Sequence, residues 1–518
     1  MTLRGLFAVG SEAAAILLMP EKNMEQEAGL KSAGVQDSRI CGIAGAILMG
    51  LIMLCGLSAQ AAPAAGEQTV PVLLTSDIHF EPFWDPGKAR QLATEPVNHW
   101  AKILSSANSP DREQRFAAIE QQCKVRGQDT SYPLLRSSLA AMRSFSGGPR
   151  LIAVSGDLMS HAFTCKFHAV FPHAGQAEYA GFAEKTIEFV LLELRSTFPG
   201  TPVFAALGNN DSDCGDYKID THSLFLGALA STITADVEKR LRPTALSSFA
   251  AEGDYSAELP APFHSTRLLV VDDLFESVKY QTCSGKPDPE AGRAQVAWLQ
   301  GQLEAARRNR EQIWVVSHIP PGIDPYGTAR KAQDMCSGEA PVAFLSSDAL
   351  AKTLSDFGDV IRLAIFAHTH MDELRLLRPQ PQASGAAVAV KMVPSISPVD
   401  GNNPSFVVAQ AEPASATLKD YKVIAASNKT GIGTHWSEEY DFDREYNAPV
   451  YAAASLTKLI DGFAADRSGA GVASQSYLRN YFVGGEAREL QPFWPQYVCA
   501  LDNTSAAAYR SCACAAGK

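Results

Sequence analysis

Five short clusters carry the chemistry open to this 518-residue chain: Asp77-Ile78-His79, Gly156-Asp157 with His161 four residues on, Gly208-Asn209-Asn210-Asp211, Ser317-His318, and Ala367-His368-Thr369-His370. Together they hold five of its eleven histidines. Imidazole, carboxylate and side-chain amide oxygen are the ligands expected of borderline divalent cations such as Zn²⁺, Mn²⁺ or Fe²⁺. A lone D-x-H or H-x-H reads more readily as a hydrogen-bonded histidine at a strand end, because buried polar groups are satisfied as a rule. An ordered set of five is different, since burying so many ionisable groups independently is costly without metal or pairing. Asp77 and His79, two apart on an extended segment, project to one side of it, as do His368 and His370.

Apolar runs position these clusters. They lie at 70–75, 151–155, 202–207, 312–317 and 361–367, and a further run at 267–271 leads into Asp272-Asp273. Their near-continuous Val, Ile, Leu and Ala character predicts strands buried on both faces. Between them, 178–194 and 291–307 predict amphipathic helices, the second with Val296, Leu299 and Leu303 at helical spacing. The alternation predicts an α/β layered fold, in which function collects at the carboxyl ends of the strands. After His370, 374–377, 386–393 and 405–410 read as consecutive strands, and 451–463, 474–482 and 504–512 as helices. The aromatic residues Trp436, Tyr440, Tyr446, Tyr481 and Trp494 add to a smaller, mostly helical C-terminal unit.

Composition excludes some classes. With 46% hydrophobic residues the chain is too apolar to be disordered. A net charge of −11 argues against coating nucleic acid, which needs a basic surface. It does not argue against a phosphorylated substrate if metal ions supply positive charge locally. The uncharged apolar run at 40–57, followed by Ala59-Gln60-Ala61, reads as a signal peptide, with an uncleaved membrane anchor as its rival. The slight acidic excess of residues 1–39 is unlike the positive start of such a peptide, which places the true start downstream of Met1. Cleavage after Ala61 leaves Cys123, Cys165, Cys214, Cys283, Cys336, Cys499, Cys512 and Cys514, an even set that suggests disulfides in an exported chain. Cys499 with Cys512 or Cys514 would tie down the C-terminus.

The five clusters in this order resemble the calcineurin-like metallophosphoesterase superfamily, whose pattern is D-x-H, G-D, G-N-H-[DE], H and G-H-x-H. The resemblance covers residues 69–410. His161 four after Asp157, Ser160 where purple acid phosphatases would carry tyrosine, and Pro394-Ser395-Ile396-Ser397-Pro398 followed by Gly401, Asn402, Asn403, Pro404, Ser405 and Phe406 are similar to acid sphingomyelinase-like phosphodiesterases. It implies a layered β-sandwich core flanked by helices over 69–410 and a small helical subdomain over 411–518, behind a targeting segment at 1–61. The implied protein is exported, periplasmic or secreted, and hydrolyses a phosphodiester or phosphoanhydride bond through metal-activated hydroxide. Its substrate would be a small-molecule phosphodiester, a nucleotide or a phospholipid. No nucleic-acid surface is expected, and membrane contact only through a lipid substrate or an uncleaved N-terminal segment.

Carried over residue by residue, the resemblance implies one metal held by Asp77, His79, Asp157 and His370 and a second held by Asp157, Asn209, His318 and His368, with Asp157 bridging. The two ions would be zinc, with manganese or iron as alternatives. His161 becomes the general acid that protonates the leaving group; a surface histidine is its bland reading, in a loop that also carries His168 and His173. Two positions depart from the family pattern. Asn210 replaces the histidine of G-N-H-[DE], and an amide can hydrogen-bond a phosphoryl oxygen but cannot carry a proton. Ala367 replaces the glycine before His368. Asp211 is expected to support Asn209 or His161. Phosphomonoesterase activity on the same metals, or a metal-binding protein with reduced catalysis, are the alternative functions.

Outside the clusters, Phe80, Phe83 and Trp84 could wall a substrate, although core packing is the commoner fate of such aromatics. Asp272-Asp273 reads as a helix N-cap or a solvated turn. Asn428-Lys429-Thr430 and Asn503-Thr504-Ser505 match glycan sequons.

Overall fold

The computed structural model describes residues 69–331, 335–379, 385–485 and 490–516. The expected targeting segment at 1–61 lies outside these residues, as do Cys41 and Cys55. The strands are β1 (Val70–Thr75), β2 (Ile152–Val154), β3 (Val203–Ala205), β4 (Tyr255–Glu258), β5 (Thr266–Val270), β6 (Gln312–Val316), β7 (Ile361–Phe366), β8 (Glu373–Leu377), β9 (Val388–Met392), β10 (Ser405–Glu412), β11 (Thr417–Ala426) and β12 (Trp436–Asp441). They form two six-stranded sheets, ordered β12-β11-β10-β1-β2-β3 and β4-β5-β6-β7-β9-β8. β1, β2 and β3 run parallel, as do β5, β6, β7 and β9, so their carboxyl ends share an edge in each sheet.

Parallel strands need helical crossovers, which cover both sheet faces and account for the continuous apolar runs. The helices Tyr132–Ser146, Gln176–Thr197 and Pro289–Asn309 supply this cover. On the last of these Leu299 and Leu303 are fully buried, but Gln295 rather than Val296 completes the inward face. Side chains of both sheets join one hydrophobic core. Across it, fully buried Trp314 of β6 donates its indole N–H to Ala416 O at 2.7 Å, satisfying its polar atom.

The C-terminal region is helical, with helices at Ala453–Ala465, Val472–Asn480, Trp494–Ala500 and Ala506–Ala516. The boundary expected after residue 410 falls inside β10, and β11 and β12 extend the same sheet beyond it. Lys419, Asp420 and Lys422 break the apolar pattern of β11 in sequence, and a register shift at Val423/Ile424 disturbs its alternation. All eight expected cysteines pair: Cys123–Cys165, Cys214–Cys283, Cys336–Cys514 and Cys499–Cys512. Among the described residues no helix is long and apolar enough to cross a membrane.

Phe80 and Phe83 are core residues, packed on Phe189, Phe163 and Phe182, while half-buried Trp84 lies 3.8 Å beneath the Arg112 guanidinium. Asp272 and Asp273 depart from expectation. Both are fully buried, and Asp272, in the N-cap place of the short helix Asp273–Glu276, makes no capping bond.

Candidate metal centre

The five clusters meet because the loops leaving the parallel strands bind one another through their backbones. Asp77 N donates to Gly156 O at 3.1 Å, His79 N to Asp157 O at 2.9 Å, and Ser397 N to Asp77 O at 3.0 Å. This convergence requires unusual backbone conformations. Asp77, His79, Asp157, His368 and His370 have φ values of 44°, 43°, 54°, 73° and 66°. Non-glycine residues held in this left-handed region cost about 1–3 kcal/mol each and persist only where the surroundings over-determine them, commonly at functional sites. Space is equally tight: a Cβ at Gly208 would stand 2.2 Å from Asp157 Oδ1 and 2.4 Å from Asp157 N.

Two sets of donor atoms meet at one carboxylate. Asp157 Oδ2 lies 3.4 Å from His79 Nε2 and 3.2 Å from His318 Nε2. On the first side, His370 Nε2 is 3.2 Å from His79 Nε2 and 3.4 Å from Asp77 Oδ1. On the second, His318 Nε2 is 3.2 Å from Asn209 Oδ1 and 3.3 Å from His368 Nδ1. The backs of two rings are anchored: Nδ1 of His79 donates to Met159 O and Nδ1 of His318 to Ser155 O, both at 2.7 Å. That fixes the orientation of each ring and turns its Nε2 toward its neighbours, where it holds either a proton or a cation. Lone pairs facing one another at these distances repel unless a cation or a proton lies between them.

The electrostatics ask for positive charge. Asp77 is fully buried, yet neither of its carboxylate oxygens has a hydrogen-bond partner. Burial lowers the His318 imidazole, but Asp157 and Asp77 outweigh it and lift the ring to about 10. Burial holds His79 and His368 well below the ordinary histidine value. Nitrogen, carboxylate and amide ligands in two adjoining sets are a donor chemistry suited to divalent cations. Asp77, His79 and Asp157 offer atoms within 4.8 Å of one another, as do Asp157, His318 and His368.

His161 stands beside the first set, its ring stacked 3.9 Å from that of His79 and its side chain 25% exposed. Asp129, which sequence reasoning missed, fixes it. This buried carboxylate accepts from His161 Nδ1 at 2.9 Å, from His161 N at 2.8 Å and from Ser397 Oγ at 2.9 Å. Burial lowers the His161 imidazole, and Asp129 more than offsets this, so the ring is raised above its ordinary value. Lys166, paired with Glu81 and 3.3 Å from Asp129, balances the buried charge. Asp129 stands alone among polar residues, with no spacing that marks it.

Three further partners hold the donors from outside. Asp211 supports neither Asn209 nor His161 as expected; its carboxylate accepts the backbone N–H groups of Gly208, Leu158 and Met159 and so pins the loops themselves. Asp216 accepts from Asn209 Nδ2 at 2.7 Å, which fixes the amide so that Oδ1 faces His318. Asn210 donates to Asp157 twice, from N at 2.8 Å and from Nδ2 at 2.9 Å. Beside His368 opens a cavity of about 390 Å³ whose lining includes Tyr326, Phe344, Met371, Arg375, Asp400 and Tyr481.

Residues 70–372 match the calcineurin-like phosphoesterase family, and the chain belongs to it. It is a metal-dependent phosphoric ester hydrolase of a family that uses a divalent metal centre. Among curated proteins it is similar to acid sphingomyelinase-like phosphodiesterase 3b of Homo sapiens, 25% identical over 410 residues that cover 75% of this chain and 81% of that one. It is likewise similar to a cyclic GMP-AMP phosphodiesterase of Mus musculus, 25% identical over 354 residues covering 66% and 74%. A dimetal phosphatase from Danio rerio matches in structure with a TM-score of 0.36 at 12% identity, over 72% of this chain and 99% of that one.

Gly208→Ala tests the packing without removing a donor atom. Displacing Asp157 is expected to weaken divalent-metal binding by about 10–100-fold, as loss of a supporting contact does, with about 1–3 kcal/mol of stability lost to overpacking. Metal titration and thermal unfolding read the two effects separately.

Proposed function

We propose that this chain is an exported phosphodiesterase with two divalent ions, one held by Asp77, His79, Asp157 and His370 and the other by Asp157, Asn209, His318 and His368. The shared Asp157 carboxylate carries this reading, with one oxygen 3.4 Å from His79 and 3.2 Å from His318. Bound to these residues, two such ions, zinc among those suited to imidazole and carboxylate ligands, would supply positive charge to the phosphoryl oxygens and lower the pKa of a water. His161, its Nδ1 tied to Asp129, gives its other proton to the leaving oxygen. Asn210, engaged with Asp157, holds that carboxylate in place and leaves proton transfer to His161.

The names of the relatives, an acid sphingomyelinase-like phosphodiesterase, a cyclic GMP-AMP phosphodiesterase and a sphingomyelinase phosphodiesterase of Dictyostelium discoideum, support a small-molecule diester as substrate. A cavity of about 390 Å³ is within the usual range for small-molecule sites. Four disulfides support export, because such bonds persist in oxidising compartments.

Asp157→Ala and His318→Ala are each expected to lower turnover of bis(p-nitrophenyl) phosphate at least about 100-fold, and the parent is expected to prefer this diester to p-nitrophenyl phosphate. Variants as active as the parent would remove the metal reading, and preference for the monoester would reassign the substrate class. His161→Ala and Asp129→Asn are expected to slow diesters with alkoxide leaving groups by about 10²–10⁴-fold. Both should spare p-nitrophenolate release, which needs no proton. Equal losses on both substrates would contradict the assignment of His161 as the acid.

A further inference from the structure

Among the described residues, two buried carboxylates have both oxygens without a hydrogen-bond partner. One is Asp77, at the centre described above. The other is Asp272, fully buried after β5. Its surroundings repeat the shortage of positive charge. Asp254, just before β4, and Asp273 are buried to 1% and 0% exposure, and Oδ2 of each also lacks a partner. No Lys or Arg ion pair reaches any of these three aspartates among the described residues.

The group is a built cluster. Asp272 N donates to Asp254 Oδ1 at 2.9 Å. Gln295, 1% exposed on the helix Pro289–Asn309, donates from Nε2 to Asp254 Oδ1 at 3.1 Å and to the backbone carbonyl of Asp272. Its amide is thereby stitched to both aspartates, and its Oε1 is left without a partner. The helix Arg242–Glu252 ends at Gly253, with φ +75°, where a Cβ would stand 2.6 Å from Asp272 Oδ2. The C-terminal end of that helix therefore packs closely against the Asp272 carboxylate.

We propose that Asp254, Asp272 and Gln295 hold a third metal ion, a structural Ca²⁺. The open donors are all oxygen, which disfavours zinc and favours a hard cation. Ca²⁺ accepts roughly six to eight oxygens in irregular sets, whereas Mg²⁺ demands near-octahedral geometry and keeps several waters, which suits a buried, crowded cluster poorly. The ion ties the ends of β4 and β5 to the helix that carries Gln295. Asp273, next in the chain, accepts the N–H of Ile319 at 3.0 Å, so the same joint steadies the loop of His318. This inference is independent of the phosphodiesterase reading.

The test is calcium analysis of the full-length protein equilibrated with CaCl₂ and then desalted, alongside thermal unfolding with EGTA and after CaCl₂ is restored. The expected result is one equivalent of Ca²⁺ per chain beyond the transition metals, with Tm lowered by EGTA and recovered with CaCl₂. In Asp272→Asn that equivalent falls to none and the calcium response of Tm disappears, while transition-metal content stays at the parent level. A parent that retains no calcium and shows no shift of Tm would overturn the proposal without recourse to any variant. So would an Asp272→Asn protein that still binds the same equivalent.

Discussion

A carboxylate 1% exposed and set between two imidazoles, Asp157 against His79 and His318, constrains the rest of the molecule. Such a group is costly to bury unless positive charge and hydrogen bonds surround it. Its neighbours answer that demand from three strand ends at once. The Asn210 amide and backbone N–H bind it, the His79 and His318 rings flank it, and Gly208 leaves room for it. Five left-handed non-glycine residues hold these groups in place. Their strain is sustained by two parallel-centred sheets whose apolar cores leave the strand ends no alternative course.

The strands were legible because burial on both faces leaves a dense apolar signature, and β1, β6 and β7 fall within a residue of their predicted limits. The order of the clusters was legible because each ends such a run. What escaped was whatever lacks local periodicity. β11 carries Lys419, Asp420 and Lys422 across its exposed face and so hides an apolar one. Asp129 acts from a loop distant in sequence from His161, and only the fold joins them. Asp211 was expected to orient side chains but binds three backbone N–H groups, a role no residue spacing records.

Charge explains a division of labour. The chain is acidic overall, at −11, so any attraction for a phosphate must be local. Near the centre, Lys166 is spent on Glu81 and Asp129, Lys391 on Asp372, and Arg375 lies 3.5 Å from Glu373. These buried cations balance neighbouring carboxylates. Beside His368, Lys279 Nζ lies 3.1 Å from Tyr217 Oη and Arg330 lines the cavity, so side-chain charge there adds to what the family's divalent centre supplies to a phosphoryl group. The C-terminal helices bring Tyr481 to the cavity beside His368, so that region contributes to shape rather than to the donor sets.

The shared role of Asp157 is open to direct observation by anomalous diffraction from crystals of the metal-loaded protein, recorded on both sides of the zinc edge. Two peaks about 3.5–4 Å apart, each in contact with the Asp157 carboxylate, are the result that a two-ion centre requires. A single peak, or a pair that leaves Asp157 untouched, would contradict it.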